Sequence, residues 1–215
     1  MRVISWLLDL LYPPKCVICG KLLSGRGAVC PACMDALPEY DDPAPRVGFT
    51  SGGAVSFYYE DAIRTSFHRF KFGGCAHYAA TYGQWMAHTI TDRLAGQYDC
   101  ICWAPISHRR RRGRGYDQSE LLCRRIAAQL GLQPLRLLRR VKDRPAQSSL
   151  PDAARRCANV SGAYEANPLC AGRRVLLIDD IVTTGATLSE CSRVLRTAGV
   201  ADVVYAAFAA PRKQN

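Results

Sequence analysis

Apolar residues fall along this chain in two patterns, short unbroken runs and longer amphipathic stretches. The run Val175-Leu176-Leu177-Ile178 has no alternation, as expected of a parallel strand covered on both faces. Two acids, Asp179 and Asp180, follow at its end, and then the small, hydroxyl-rich turn Thr183-Thr184-Gly185-Ala186-Thr187 opens a helix predicted over 186–198. A second strand is predicted over 100–104 and a weakly alternating, aromatic one over 54–59. Between them the pattern changes to helical over 60–72, ended by Gly73-Gly74, and over 76–94. A further helix is expected over 116–130 with Gly131 as its stop, then a short basic strand over 135–141, a helix over 152–159 and a short strand over 163–165. The chain closes as strand, helix and strand over 173–209. Alternation of strands with helices predicts an α/β fold built on a mostly parallel sheet.

In such sheets ligands sit beyond the carboxyl ends of the strands, where the acid pair and the turn are placed. A helix N-terminus there offers free N–H groups to an anion. Gly185 lets the backbone close on a phosphate, with Thr183, Thr184 and Thr187 as hydroxyl donors, while Asp179 and Asp180 accept from a vicinal diol or approach a divalent metal. The combination describes a site for a ribose 5-phosphate.

With 215 residues, 48% of them apolar, the chain has room for one α/β domain and a small appendage. Its net charge of +11 favours polyanionic partners. The N-terminal stretch 1–11 lacks the features of a signal peptide and is too short to span a bilayer. It reads as a docking helix with Ile4, Leu7, Leu8 and Leu11 on one face. With no other apolar segment of sufficient length, the expected setting is cytoplasmic and free of transmembrane segments.

The chain carries 11 cysteines, and in a reducing compartment such usage points to metal rather than disulfides. Cys16-x-x-Cys19 and Cys30-x-x-Cys33 form two knuckles that together complete a tetrahedral four-thiolate shell. A structural Zn2+ is the expected occupant. The rival, a redox pair, needs no second knuckle. The division that follows is a zinc-binding module with its preceding helix over 1–40, a Pro/Gly-rich linker over 41–53, and the α/β domain over 54–215. The other cysteines read as small buried hydrophobes, and His68, His77, His88 and His108 have no metal-ligand spacing.

After the strand at 100–104 comes Pro105-Ile106-Ser107-His108-Arg109-Arg110-Arg111-Arg112-Gly113-Arg114-Gly115-Tyr116, which is expected to be a loop whose glycines let it close over a ligand. One reading places Ser107, Arg109 and neighbouring cations against departing pyrophosphate. The other gives Arg110, Arg111, Arg112 and Arg114 to nucleic-acid phosphates. The two readings are compatible.

The strand, acid pair and T-T-G-A-T turn resemble the phosphoribosyl diphosphate (PRPP) motif of type I phosphoribosyltransferases. The joint order is more specific still. Two C-x-x-C knuckles precede Phe67-His68-Arg69-Phe70-Lys71-Phe72-Gly73, the arginine stretch with R-G-Y-x-Q, Pro145-Ala146-Gln147, Arg156-x-x-Asn159-Val160 and the acid pair. Over nearly the whole chain this resembles the ComF family. The resemblance implies a zinc module joined to a type I phosphoribosyltransferase-like domain, and a part in natural transformation, handling incoming single-stranded DNA alongside protein partners of the competence machinery. It implies that Asp179 and Asp180 hold ribose with Mg2+ at hand, that residues 183–187 hold the 5-phosphate, and that Ser107 and Arg109 lie in the pyrophosphate segment. Lys71 is a further candidate phosphate contact; its alternative is a cation placed to suit a helix C-terminus. No segment reads as the separate hood that selects a nucleobase acceptor, so PRPP binding follows more directly than turnover.

Overall fold

The structure, a computed structural model, describes residues 13–25, 27–142 and 160–212. The expected helices over 1–11 and 152–159, with Gln147, Cys157 and Asn159, lie outside the described residues.

Four strands, β1 (Gly52–Tyr58), β2 (Cys100–Trp103), β5 (Arg174–Ile181) and β6 (Asp202–Ala210), form one sheet in the order β1-β6-β5-β2. Every pairing in it is parallel, so the carboxyl ends of all four strands share one edge. The strand interiors are apolar because both faces are covered. Leu176 and Ile178 pack with Phe67, Phe70, Tyr82, Ile126 and Phe208 on one side, and Val175 and Leu177 pack with Cys102, Leu188, Cys191, Leu195 and Tyr205 on the other. Helices α2 (Asp61–Phe72), α3 (Ala79–Leu94) and α5 (Gln118–Leu130) lie on the first side and α6 (Ala186–Thr197) on the second. The stretch expected as one helix over 76–94 begins as a 3-10 turn, Ala76–Tyr78, before α3 starts. A separate antiparallel ribbon joins β3 (Leu138–Arg140) to β4 (Tyr164–Ala166).

In the N-terminal module Cys30 leads into the short helix α1 (Pro31–Asp35), with Pro31 in its first turn. At the first knuckle the Gly20 amide donates to Cys16 O at 2.8 Å, with Gly20 at φ 78°. The module is fastened to the domain: Cys16, Val17 and Ile18 are buried in the same core as Phe67 and Phe70. The stretch 38–48 is fastened as well. The Tyr40 amide donates to Ser56 O at 3.0 Å, and the Tyr205 hydroxyl donates to Pro45 O at 2.6 Å.

One sequence expectation is corrected here. The arginine stretch is not a loop but a helix, α4 (His108–Arg114). Ser107 caps it, accepting the Arg110 amide on Oγ at 3.3 Å. Gly115, at φ 81°, ends it in the left-handed conformation, which a residue with a Cβ adopts only at a cost. Gly113 lies within the helix, so the two glycines are not free hinges.

Candidate functional site

At the carboxyl edge of the sheet a cleft of about 370 Å³ is lined by Lys71, Arg110, Arg140, Tyr59 and the continuous segment 179–188. The strand β5 runs through both acids to Ile181, so their positions are fixed by the sheet and not by a loop. Asp179 is buried. Its Oδ1 accepts from the Ser119 hydroxyl at 3.1 Å and from the Asp180 amide at 2.8 Å. Burial, reinforced by the neighbouring Asp180 charge, pushes the Asp179 carboxyl up to about 7, against the pull of the Asp180 amide, Lys71 and Ser119. Asp180 is the more open acid and pairs with Lys71 Nζ at 2.8 Å.

The turn after β5 is built for an anion. Gly185 sits at φ 71° as the N-cap of α6 and supplies no side-chain cap. An added Cβ there meets Val47 Cγ2 at 3.2 Å. Thr184 Oγ1 accepts the Ala186 amide at 3.4 Å. The amides of Gly185, Thr187 and Leu188 meet no protein acceptor among the described residues. Unsatisfied N–H groups at a helix start make an anion site.

The structure therefore brings Lys71, Asp179, Asp180 and Thr183 to Thr187 into one cleft. Of the arginine helix it brings only Arg110, a residue that the sequence offers both to pyrophosphate and to nucleic-acid phosphates. Ser107 is buried, with its Oγ accepting the Arg110 amide in the α4 cap, and neither it nor the exposed Arg109 lines the cleft. Arg111 pairs with Glu120 at 3.1 Å. Arg112 is exposed. Arg114 is half-buried on Gln118 Oε1 at 2.8 Å and over the Phe72 ring; burial lowers its pKa, with Asp180 opposing.

Sequence reasoning missed Ser119, which orients Asp179, and Asp117. Asp117 accepts the Ile106 amide at 2.9 Å and the Glu120 amide at 3.2 Å, tying the segment after β2 to the start of α5. An acid three residues before Glu120 is a visible N-cap signal. Ser119 has no such signature. Tyr59 and the cleft position of Arg140 also carry none.

At the N-terminal module, Sγ atoms of Cys16, Cys19, Cys30 and Cys33 all lie within 4.8 Å of one another. Cys19 and Cys30 are 3.8 Å apart. A Zn–S bond of about 2.3 Å sets a tetrahedron edge of roughly 3.8 Å, so the residues fit the ion. Burial pushes the Cys16 thiol up, but backbone hydrogen bonds from Cys19, Cys30 and Ile18 outweigh it and hold the thiol at about 6. Burial and the neighbouring sulfurs push Cys33 up to about 12. A cation relieves that mutual repulsion.

Residues 117–215 match the phosphoribosyl transferase domain family and residues 7–47 the double zinc ribbon domain family. Together with the parallel sheet and its edge cleft, these define a phosphoribosyltransferase-fold protein with an N-terminal zinc ribbon. Across 7–47 the sequence supplies only four cysteines and no histidine, enough for a single thiolate-bound zinc. The chain is 27% identical over 198 residues to competence protein F of Haemophilus influenzae, covering 88% of this chain and 82% of that protein. It is 27% identical over 203 residues to DNA utilization protein YhgH of Salmonella typhimurium, covering 87% and 86%. To competence protein ComFC of Streptococcus pneumoniae it is 28% identical over 178 residues, covering 81% and 77%. Over more than four fifths of its length the chain is thus similar to proteins named for competence and DNA utilization. No helix among the described residues is long and apolar enough to cross a membrane.

Proposed function

We propose that the cleft binds PRPP with Mg2+ and that the protein acts in the cytoplasm, serving natural transformation or DNA utilisation, the latter two in keeping with the names of its relatives. In this reading residues 1–40 are the zinc-binding module, 41–53 the join and 54–215 the ligand-binding domain. The observation that carries it is the coincidence, within one cleft, of two strand-fixed carboxylates and a helix start with uncommitted amides. The diol of the ribose donates to Asp179 and Asp180. Its 5-phosphate lies against the Gly185, Thr187 and Leu188 amides with the threonine hydroxyls around it. Lys71 leaves Asp180 for the diphosphate, joined by Arg110 from α4, with Arg109 one residue behind on the same turn. Mg2+, when bound with the diphosphate, would offset charge on the leaving group, and Asp180, the more open acid of the cleft, would hold it. Cations placed where charge develops favour departure of pyrophosphate.

The test is calorimetric titration with PRPP and Mg2+. Wild-type protein is expected to bind, and Asp180→Asn to weaken binding by about ten- to a hundredfold, the worth of a lost charge-assisted hydrogen bond. Unchanged affinity in the variant removes Asp180 from the site. Transfer is read separately, as pyrophosphate release with a panel of acceptors.

A second reading rests on a different observation. Arg109, Arg111 and Arg112 are exposed on one short helix of a chain with net charge +11. Here the protein carries single-stranded DNA or docks a competence partner, and the cleft is a sensor rather than a catalyst.

A further inference from the structure

Helix α2 touches both the zinc knuckle and the cleft. At its middle, the Ser66 hydroxyl donates to Val17 O, the carbonyl between the two cysteines of the first knuckle. Arg69 Nη2 donates to the same carbonyl at 3.2 Å and also to Ile18 O. Ser66 is fully buried and also bonded to the Tyr82 hydroxyl, so its hydroxyl has no freedom to drift. Two residues beyond Arg69, Lys71 pairs with Asp180 inside the cleft and lies over the Phe67 ring at 5.0 Å. The last turn also holds the arginine helix: Phe70 O accepts the Tyr116 hydroxyl, and the Phe72 ring carries the Arg114 guanidinium at 4.7 Å. The helix thus stands between a metal-ordered loop and the cation that faces the acid pair.

We propose that the zinc ribbon is a positioning element of the cleft, acting through Ser66 and Arg69, which hang the last turn of α2 on the knuckle carbonyls and so set where Lys71 meets Asp180. The knuckle is a rigid anchor only while its four thiolates are held on one ion, since Val17 and Ile18 lie between the ligands Cys16 and Cys19. Ser66 and Arg69 touch no cleft atom themselves; they are positioning residues. A merely structural ribbon predicts that loosening it lowers stability throughout. The geometry here predicts a directed effect, on Lys71 and on residues 70–73 ahead of the rest of the chain. The inference rests on the cleft being the PRPP site, and its test is arranged so that the two stand or fall separately.

The experiment uses the full zinc-loaded chain and two variants, Arg69→Ala and the milder Ser66→Ala, each checked for one zinc per chain. Backbone hydrogen exchange is read over 66–74 and 179–188, and PRPP affinity is measured in a cycle with Lys71→Ala. Arg69→Ala is expected to raise exchange of residues 70–73 at least tenfold while β5 and β6 stay protected. It is also expected to weaken PRPP about five- to tenfold, but less than about twofold on the Lys71→Ala background, because residues acting through one contact are not additive. Ser66→Ala should move both readouts in the same direction by a smaller factor. Unchanged exchange at 70–73 in both zinc-loaded variants overturns the proposal, as does full additivity with Lys71→Ala. Wild-type protein that fails to bind PRPP sinks the cleft assignment alone, and the exchange comparison still decides the coupling.

Discussion

At Asp179, burial outweighs the contacts that favour a charge, and the carboxyl is held up to about 7. An unfolded aspartate loses its proton near pH 3.9. Between those values the folded chain binds the additional proton, so this residue's contribution is present in full below the unfolded pKa and is lost as pH rises to about 7. Asp179→Asn removes that dependence. In magnesium-free buffer the variant is expected to gain stability relative to wild type between pH 5 and pH 8, by at most a few kcal/mol, and to match it more closely at the acid end. Parallel denaturation curves at the two pH values check this, and a difference that does not change with pH removes the burial argument. The same residue explains why the acids are not equivalent. Asp180 faces the cleft paired with Lys71, whereas Asp179 is fixed by Ser119 and a backbone amide. A ligand diol that donates to Asp179 supplies what the burial withholds.

Among the elements, α4 depends most on a single residue. Its seven residues, His108–Arg114, bury none of their number, so packing contributes little and the caps carry the helix. Ser107→Ala leaves the Arg110 amide without its acceptor and is expected to cost about 1 kcal/mol, with Ser107→Thr retaining most of the stability. Because Arg110 sits on that first turn and lines the cleft, the alanine variant should also weaken PRPP by about two- to fivefold, which calorimetry reads directly. The same helix shows where sequence reasoning stops. β5 and α6 are legible because an unbroken apolar run and an amphipathic stretch each have a distinct period. The sequence His-Arg-Arg-Arg-Arg-Gly-Arg has no apolar face, so periodicity is silent, and only Ser107 and Gly115 mark the ends. The acid pair and turn were visible because their chemistry is local in sequence. Arg140 and Tyr59 reach the cleft, and Ser119 reaches Asp179, through tertiary packing. The stretch 38–53 reads as a linker by composition, yet Tyr40 is buried with its amide on Ser56 O, covering the free edge of β1, and Val47 is buried beside Gly185.

Over the whole molecule, charge is distributed by how much of it is already neutralised. Several surface cations are matched within the chain, among them Arg174 with Asp99 at 2.5 Å, Arg139 with Glu165 at 2.6 Å and Arg193 with Glu190 at 2.8 Å. Such exposed pairs add little stability, but they cancel the field that draws a polyanion. The excess behind the net +11 therefore gathers where arginines crowd without enough acids. On α4, Arg111 shares Glu120 with Arg124, while Arg109 and Arg112 stand exposed beside it. If this helix carries single-stranded DNA, each phosphate it neutralises releases counterions. The logarithm of affinity then falls with the logarithm of salt at about 0.7 per phosphate on a single strand. The double variant Arg111→Ala/Arg112→Ala is expected to weaken binding of a homopolymeric oligonucleotide at low salt and to flatten that slope by about 1.4. Because phosphate contacts carry no base preference, oligonucleotides of different sequence should lose affinity alike. A slope that survives the substitutions places the strand elsewhere on the surface and leaves α4 with a single task, holding Arg110 over the cleft.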